Sequence, residues 1–249
     1  MLKNNKGEKV KRKRPIIGIV SRINSDSSGD SVNCIMDDYR IAIIKSGGVP
    51  ILILPPQSLK YNHYKPREIE RLNDKEKELL EDSINLCDGI LFPGGTKWYE
   101  FDEYIYHYAY EKDIPILGIC AGMQMMACLD NNRYKNCFDT TKLNETGIEH
   151  YNKTAEYVHD VSVVVGSKLS EIVGQTKISV NSRHHYHVDK VTSFKINAYS
   201  KDGLIEGIED PTKRFLLGLQ WHPESMIQYD QNANKILLYF VQKCSENMI

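Results

Sequence analysis

Long apolar runs are missing from this chain, and so is any C-x-x-C pair. Hydrophobic stretches such as residues 51–54 fall far short of the roughly 20 residues that a bilayer-spanning helix needs. Glycine (16) and proline (9) are sparse against 26% charged residues, which excludes collagen-like repeats and a disordered chain. Neither G-x-G-x-x-G nor a complete phosphate loop occurs; Gly95-Thr96-Lys97 is only a fragment of the latter. After the first basic residues only 16–20 are apolar before Ser21, too few for the core of a secretory signal. Six scattered cysteines in a chain this large suggest no disulfide framework, so a reducing, cytoplasmic setting is expected.

What remains is 249 residues, 41% hydrophobic, enough for a substantial α/β core. Residues 1–14 carry seven Lys or Arg against Glu8 and read as a basic, flexible tail ahead of a single domain over 15–249. Without the tail 25 basic face 32 acidic residues, a body near −7 that makes a poor partner for nucleic acid.

The first half alternates short apolar runs with helical patterns. Residues 15–20, 49–54, 89–92 and 114–119 read as strands; 37–46, 74–86 (with Asn73 as N-cap) and 122–129 read as helices. That rhythm predicts a flavodoxin-like, three-layer α/β fold around a mostly parallel sheet. Tyr104, Tyr106, Tyr108 and Tyr110 alternate as in a strand, but Ile105, Tyr108 and Ala109 suit a helix face, and a parallel sheet needs a crossover helix here. From residue 157 onward 161–165, 178–180, 194–199, 203–208 and 215–221 read as strands with few helices between, expected to add antiparallel strands. Residues 233–243 read as a closing amphipathic helix.

Gly118-Ile119-Cys120-Ala121-Gly122 stands where an apolar strand meets a helix. A nucleophile between glycines at its second neighbours is the layout of a nucleophile elbow, with the side chain lifted above the sheet edge and a helix N-terminus beneath it. A buried, inert cysteine is the alternative. Cys34, Cys87, Cys128, Cys137 and Cys244 lack such a setting. Trp221-His222-Pro223-Glu224 ends the last apolar strand. Residues two apart on an extended segment point the same way, so Glu224 is placed to orient His222 as a base. Taken alone, this stretch also fits a surface turn. Pro93-Gly94-Gly95 follows another strand, and its glycines suit backbone N–H groups turned toward an oxyanion. His184, His185 and His187 cluster, but no further ligand set stands out, so no metal is expected.

Taken together, P-G-G, G-I-C-A-G-M-Q over 118–124 and G-L-Q-W-H-P-E over 218–224 resemble the class I glutamine amidotransferase-like family, in particular its gamma-glutamyl-gamma-aminobutyrate hydrolase group. K-S-G-G-V-P, V-N-S-R-H-H and S-K-D-G-L-I-E-G-I-E-D extend the resemblance over nearly all of 15–249. It implies Cys120 as nucleophile, His222 as its base, Glu224 as the orienting acid, and N–H groups of Gly95 and Ala121 as the oxyanion hole. It further implies substrate contacts from Gly94, Gln124, Arg183, His184 and His185. Relatives in this group commonly carry Arg after the nucleophile, where Ala121 stands, and a long acidic loop after P-G-G, which is short here.

The implied chemistry is hydrolysis of γ-glutamyl amides through a γ-glutamyl thioester, without metal or organic cofactor. The amine released is open among 4-aminobutyrate, a polyamine derivative, ammonia and an amino acid. A glutaminase subunit feeding a separate synthetase is the rival enzyme reading, and an inactive binding or regulatory protein is the non-enzyme one. The expected partner is a small γ-glutamyl substrate, not nucleic acid or membrane; a homodimer and a synthetase partner stay open. Trp98 and Tyr99, directly after the glycines, are expected at the pocket mouth, whereas Tyr104 to Tyr110 are expected to pack a helix.

Overall fold

Period-two alternation sorts the apolar residues of the strands onto two faces of one sheet. Ile17, Ile19, Leu91, Leu117, Ile119, Leu217 and Leu219 belong to one buried cluster; Val20, Ile90, Phe92, Ile116 and Leu216 belong to another. A sheet apolar on both faces must be covered twice by helices, which makes three layers.

The computed structural model describes residues 12–57, 71–131, 138–139 and 147–246. In chain order come β1 (Ile16–Val20), a hairpin of β2 (Arg22–Ser25) and β3 (Ser31–Cys34), α1 (Asp37–Lys45) and β4 (Val49–Ile53). Next are α2 (Asp74–Ile84), β5 (Gly89–Phe92), α3 (Glu100–Glu111), β6 (Ile116–Ile119) and α4 (Ala121–Asp130). The second half holds β7 (Phe138–Asp139), β8 (Tyr151–Asn152), β9 (His159–Val163), α5 (Lys168–Val173), β10 (Lys177–Val180), β11 (Ser182–Arg183) and β12 (His187–Val188). It continues with β13 (Lys195–Ser200), β14 (Ile205–Glu209), β15 (Leu216–Leu219), a 3-10 turn (Pro223–Ser225) and α6 (Gln231–Ser245).

The main sheet runs β10-β9-β13-β14-β15-β6-β5-β1-β4. From β4 to β15 neighbouring strands are parallel; from β15 to β10 they are antiparallel. Helices α1, α5 and α6 cover one face, α2, α3 and α4 the other. The mixed α/β expectation therefore holds, with one change. The final strand, β15, is parallel to β6 rather than another antiparallel addition, with Gly218 opposite Gly118. The chain returns from its antiparallel excursion to the edge that β6 left open.

Asn73 caps α2 as expected: it accepts from Glu76 N–H at 3.0 Å while Glu76 accepts from Asn73 N–H at 2.8 Å. The tyrosine-rich segment is helix α3, which buries Phe101, Asp102, Glu103, Ile105, Tyr106 and Ala109 along one side. Besides several two-residue strands and the 3-10 turn, the β2–β3 hairpin and helix α5 escaped the sequence reading. The β2–β3 hairpin is largely exposed and polar, so no apolar alternation marks it. Helix α5 is six residues, too short to establish a period; Ser167 caps it and Gly174 ends it at φ 71°. Arg12, within the segment read as a free tail, pairs with the buried Asp88 at 2.8 Å. Residues 1–11 of that tail lie outside the described residues, as does Cys137. Among the described residues no helix is long and apolar enough to cross a membrane.

Helix α4 lies unusually close to the sheet because side chains are missing where it lands. A Cβ on Gly118 would sit 2.4 Å from Met126 Sδ, and one on Gly122 would sit 2.3 Å from the Phe92 carbonyl oxygen. On neighbouring β15, a Cβ on Gly218 would lie 3.0 Å from Met123 Cγ. The obstacle at Gly122 is backbone and cannot rotate away. Gly122→Ala should therefore cost about 2–3 kcal/mol of unfolding free energy in urea titration. A loss below about 0.5 kcal/mol would show that α4 can lift off the sheet without penalty.

Candidate active site

Cys120 occupies the one residue between the end of β6 and the start of α4, at φ 52° and ψ −106°. Positive φ in a residue with a Cβ costs on the order of 1–3 kcal/mol and persists only where the surroundings enforce it. Here the enforcement is visible. Cys120 N–H donates to Leu219 O at 2.7 Å on β15, and Cys120 O accepts from Gln124 N–H at 3.0 Å in α4. The side chain is left at the helix N-terminus, the elbow geometry expected from the sequence. The other cysteines among the described residues are free thiols elsewhere in the fold. Burial pushes Cys87 up to about 12 and Cys244 well above its ordinary value, so both stay protonated and inert.

His222 follows β15, and Asn181 holds its backbone from both sides. His222 N–H donates to Asn181 Oδ1 at 2.8 Å, and Asn181 Nδ2 donates to His222 O at 2.9 Å. The ring Nδ1 lies 2.7 Å from Glu224 Oε1, leaving Nε2 as the nitrogen for other work. Glu224 reaches this position through the 3-10 turn begun by Pro223, not along an extended segment as the residue spacing suggested. Burial disfavours the imidazolium, but the Glu224 carboxylate and the hydrogen-bonded Cys120 sulfur outweigh it and raise His222 to about 10. Such an arrangement favours a protonated His222.

The Pro93-Gly94-Gly95 loop closes over this pair. A Cβ on Gly94 would fall 2.8 Å from His222 Cε1 and 3.4 Å from Cys120 Cβ, so only glycine fits between Cys120 and His222. Gly94 N–H donates to Tyr39 Oη at 2.8 Å, and Gly94 O accepts from Arg22 Nε at 3.1 Å. These engagements make Gly94 a spacer rather than the substrate contact expected of it. Arg22 also donates to Pro93 O and pairs with Asp102, which is fully buried. Burial raises the Asp102 carboxyl while the Arg22 guanidinium opposes that rise. Gly95 rests against the Arg22 side chain, and Ala121, as the first residue of α4, has an N–H with no intrahelical acceptor.

The remaining sequence candidates scatter. Gln124 is buried and donates Nε2 to Tyr186 O at 2.9 Å and to Gln220 Oε1 at 3.1 Å. Arg183 reaches Ser225 Oγ at 3.2 Å, beside the His222 turn, and its buried Nε has no hydrogen-bond partner among the described residues. His185 is exposed and stacks on Tyr151 with ring centroids 4.0 Å apart. His184 turns inward instead: its Nδ1 faces Tyr186 O at 2.9 Å and its Nε2 faces Glu206. That corrects its assignment as a substrate contact, because both ring nitrogens point at protein atoms. Trp98 is half-buried against the second core cluster, and its indole N–H donates to Glu103 at 3.1 Å. That donor is thus spent inside the protein, which leaves only the ring itself for a pocket mouth.

Sequence reasoning missed Tyr39, Asn181, Arg22 and Asp102. Tyr39 Oη lies 3.4 Å from His222 Nδ1, and burial together with the Glu224 charge pushes its phenol well above the ordinary value, so it keeps its proton. None of the four sits in a glycine-rich turn or beside a nucleophile. The only available signal was Asn181 standing next to the Arg183–His185 stretch.

The Peptidase C26 family model matches residues 98–224, half of the chain. A glutamine amidotransferase-like protein of Rickettsia prowazekii is 31% identical over 247 residues, covering 75% of this chain and 81% of its own length. The gamma-glutamyl-gamma-aminobutyrate hydrolase of Escherichia coli K12 is 28% identical, covering 84% of this chain and 85% of that one. Among solved structures, the glutaminase domain of Trypanosoma brucei CTPS with bound acivicin superposes with a TM-score of 0.62 at 17% identity, over 93% of this chain and 94% of that one, and shares the fold. With the family match spanning the elbow and the histidine turn, this chain belongs to the Peptidase C26 family of class I glutamine amidotransferase-like amide-bond hydrolases.

Proposed function

We propose that the chain is a cysteine-dependent hydrolase of γ-glutamyl amides that releases glutamate. The observation that carries this reading is the buried Cys120–His222–Glu224 constellation, with Cys120 held at positive φ on the elbow and Glu224 2.7 Å from His222 Nδ1. Cys120 sulfur attacks the side-chain amide carbonyl, and the oxyanion meets the N–H groups of Gly95 and Ala121. His222 gives its proton to the amide nitrogen as the C–N bond breaks, leaving a γ-glutamyl thioester and a free amine. His222 then takes a proton from water, whose oxygen attacks the thioester, and glutamate and the thiol are regenerated. Glu224 keeps the imidazole aligned throughout. Arg183, with an unpartnered Nε beside the turn, supplies positive charge for the α-carboxylate of the glutamyl group.

The amine side faces the segment where this chain departs from the hydrolase pattern, at Ala121 and the short loop before α3. A panel of γ-glutamyl amides that includes 4-aminobutyrate, polyamine and amino-acid derivatives, with free glutamine, tests both the class and the leaving group. Glutamate release from one or more of these amides by the chain alone is expected. Turnover of glutamine only after a second protein is added would replace this reading with that of an ammonia-supplying subunit.

Cys120→Ala should lower kcat by about a thousandfold or more while circular dichroism stays unchanged. Retained turnover above that level would remove Cys120 as the nucleophile. Glu224→Gln keeps shape and a hydrogen-bonding group but cannot stabilise the imidazolium. It should lower kcat by about 10- to 10³-fold, less than His222→Ala. Wild-type kcat in Glu224→Gln would mean that another acid orients the ring.

A further inference from the structure

Four buried side chains from separate segments converge away from Cys120: His150 ahead of β8, His159 at the start of β9, His184 after β11, and Glu206 on β14. Glu206 Oε1 lies 3.3 Å from His150 Nδ1, 3.6 Å from His159 Nε2 and 3.5 Å from His184 Nε2. All four atoms fall within 4.8 Å of one another. Among the described residues none of the four has a partner at hydrogen-bond geometry, although each is shut off from solvent. Buried polar atoms are rarely left so, and four aimed at one point demand an account.

The outward ring nitrogens supply it. His159 Nδ1 faces the Asp160 carbonyl at 3.3 Å and His184 Nδ1 faces the Tyr186 carbonyl at 2.9 Å. A carbonyl oxygen only accepts, so each outward nitrogen carries the N–H and each inward Nε2 presents a lone pair. His150 Nε2 lies 3.0 Å from the Asp202 carboxylate, which orients its inward Nδ1 likewise. In neutral rings three lone pairs and a carboxylate oxygen then converge, a repulsive arrangement that a multivalent cation relieves. Metal-ligating histidines are typically held through the second nitrogen in this way. The three separations from Glu206, 3.3–3.6 Å, match as well: bonds of about 2.0–2.1 Å in a tetrahedral site put ligand atoms about 3.3–3.4 Å apart.

We propose that His150, His159, His184 and Glu206 form a closed, four-coordinate site for one divalent transition ion, with Zn²⁺ the best match to an N₃O donor set. The sequence reading looked for ligands around His184, His185 and His187; the true neighbours of His184 come from three distant segments. With four protein ligands and no open position the ion is structural. It ties together strands β9 and β14 and the loop after β11. That loop carries Tyr186, whose carbonyl accepts from Gln124, and it follows Asn181, which grips the His222 backbone. The ion thereby positions His222 from behind without touching the reacting atoms.

Metal analysis of the full-length chain as purified, and of chelator-stripped chain titrated with Zn²⁺ against a chromophoric chelator, tests this directly. About one equivalent per chain is expected, with an X-ray absorption first shell of nitrogen and oxygen at about 2.0–2.1 Å and no sulfur at about 2.3 Å. Stripping should lower Tm by about 10 °C, restored by Zn²⁺. Glu206→Gln and His159→Gln should lose the ion, whereas Cys120→Ser should keep it. Less than about a tenth of an equivalent with no saturable uptake overturns the site, as does a sulfur-containing shell that vanishes in Cys120→Ser. Should the ligand variants fail to fold, stoichiometry and first shell of the wild-type chain decide alone.

Discussion

The close approach of helix α4 to the sheet is the constraint from which the catalytic arrangement follows. Gly118, Gly122 and Gly218 clear the space, and the Phe92 carbonyl fills what Gly122 leaves open. A chain that must turn from β6 into a helix so near the sheet has no room for a relaxed connection. The turn is made in a single residue, and that residue is Cys120 at φ 52°. The strained backbone is the cost of pressing the helix down. In return the sulfur stands clear of the sheet edge with an unpaired helix N-terminus at its base.

Around this point the protein spends polar groups freely, and several of them lock one another in place. Asn181 closes two hydrogen bonds with the His222 backbone, Tyr39 bridges Gly94 and the imidazole, and Arg22 binds two loop carbonyls while paired with Asp102. Leaving any one of these partners out would strand a buried polar group at a cost of about 1–3 kcal/mol, more for the Arg22–Asp102 pair. The loop that contacts both nucleophile and base is thereby fixed before any substrate arrives, which is what electrostatic stabilisation of an oxyanion requires.

Local chemistry was legible in the sequence wherever it obeyed a local rule. Glycines two residues either side of Cys120, the capping pair Asn73 and Glu76, and the alternating strands all carry their geometry in adjacent residues. The proximity of Glu224 to His222 was also legible, although it is achieved by a 3-10 turn. What could not be read depends on long-range closure. Nothing near Tyr39 announces that it meets Gly94, 55 residues on. The parallel placement of β15 hides for the same reason: strand direction is set by which edge is open, not by the residues of the strand. His184 shows the opposite failure, since its neighbours in sequence suggested a pocket and its neighbours in space are His150, His159 and Glu206.

The return of β15 to the side of β6 divides labour between two parts of the chain. The parallel strands β4, β1, β5, β6 and β15 form a frame whose ends deliver Cys120, the Pro93–Gly95 loop and His222. Everything between α4 and β15 is a graft that leaves the frame after one helix and rejoins it at the strand beside β6, so its length and shape are free of the register that sets Cys120. From that graft come Arg183, Asn181 and Tyr186, which hold and surround the reactive groups rather than react. Changes within the graft can thus redraw what surrounds the site without moving the strand ends that hold Cys120 and His222.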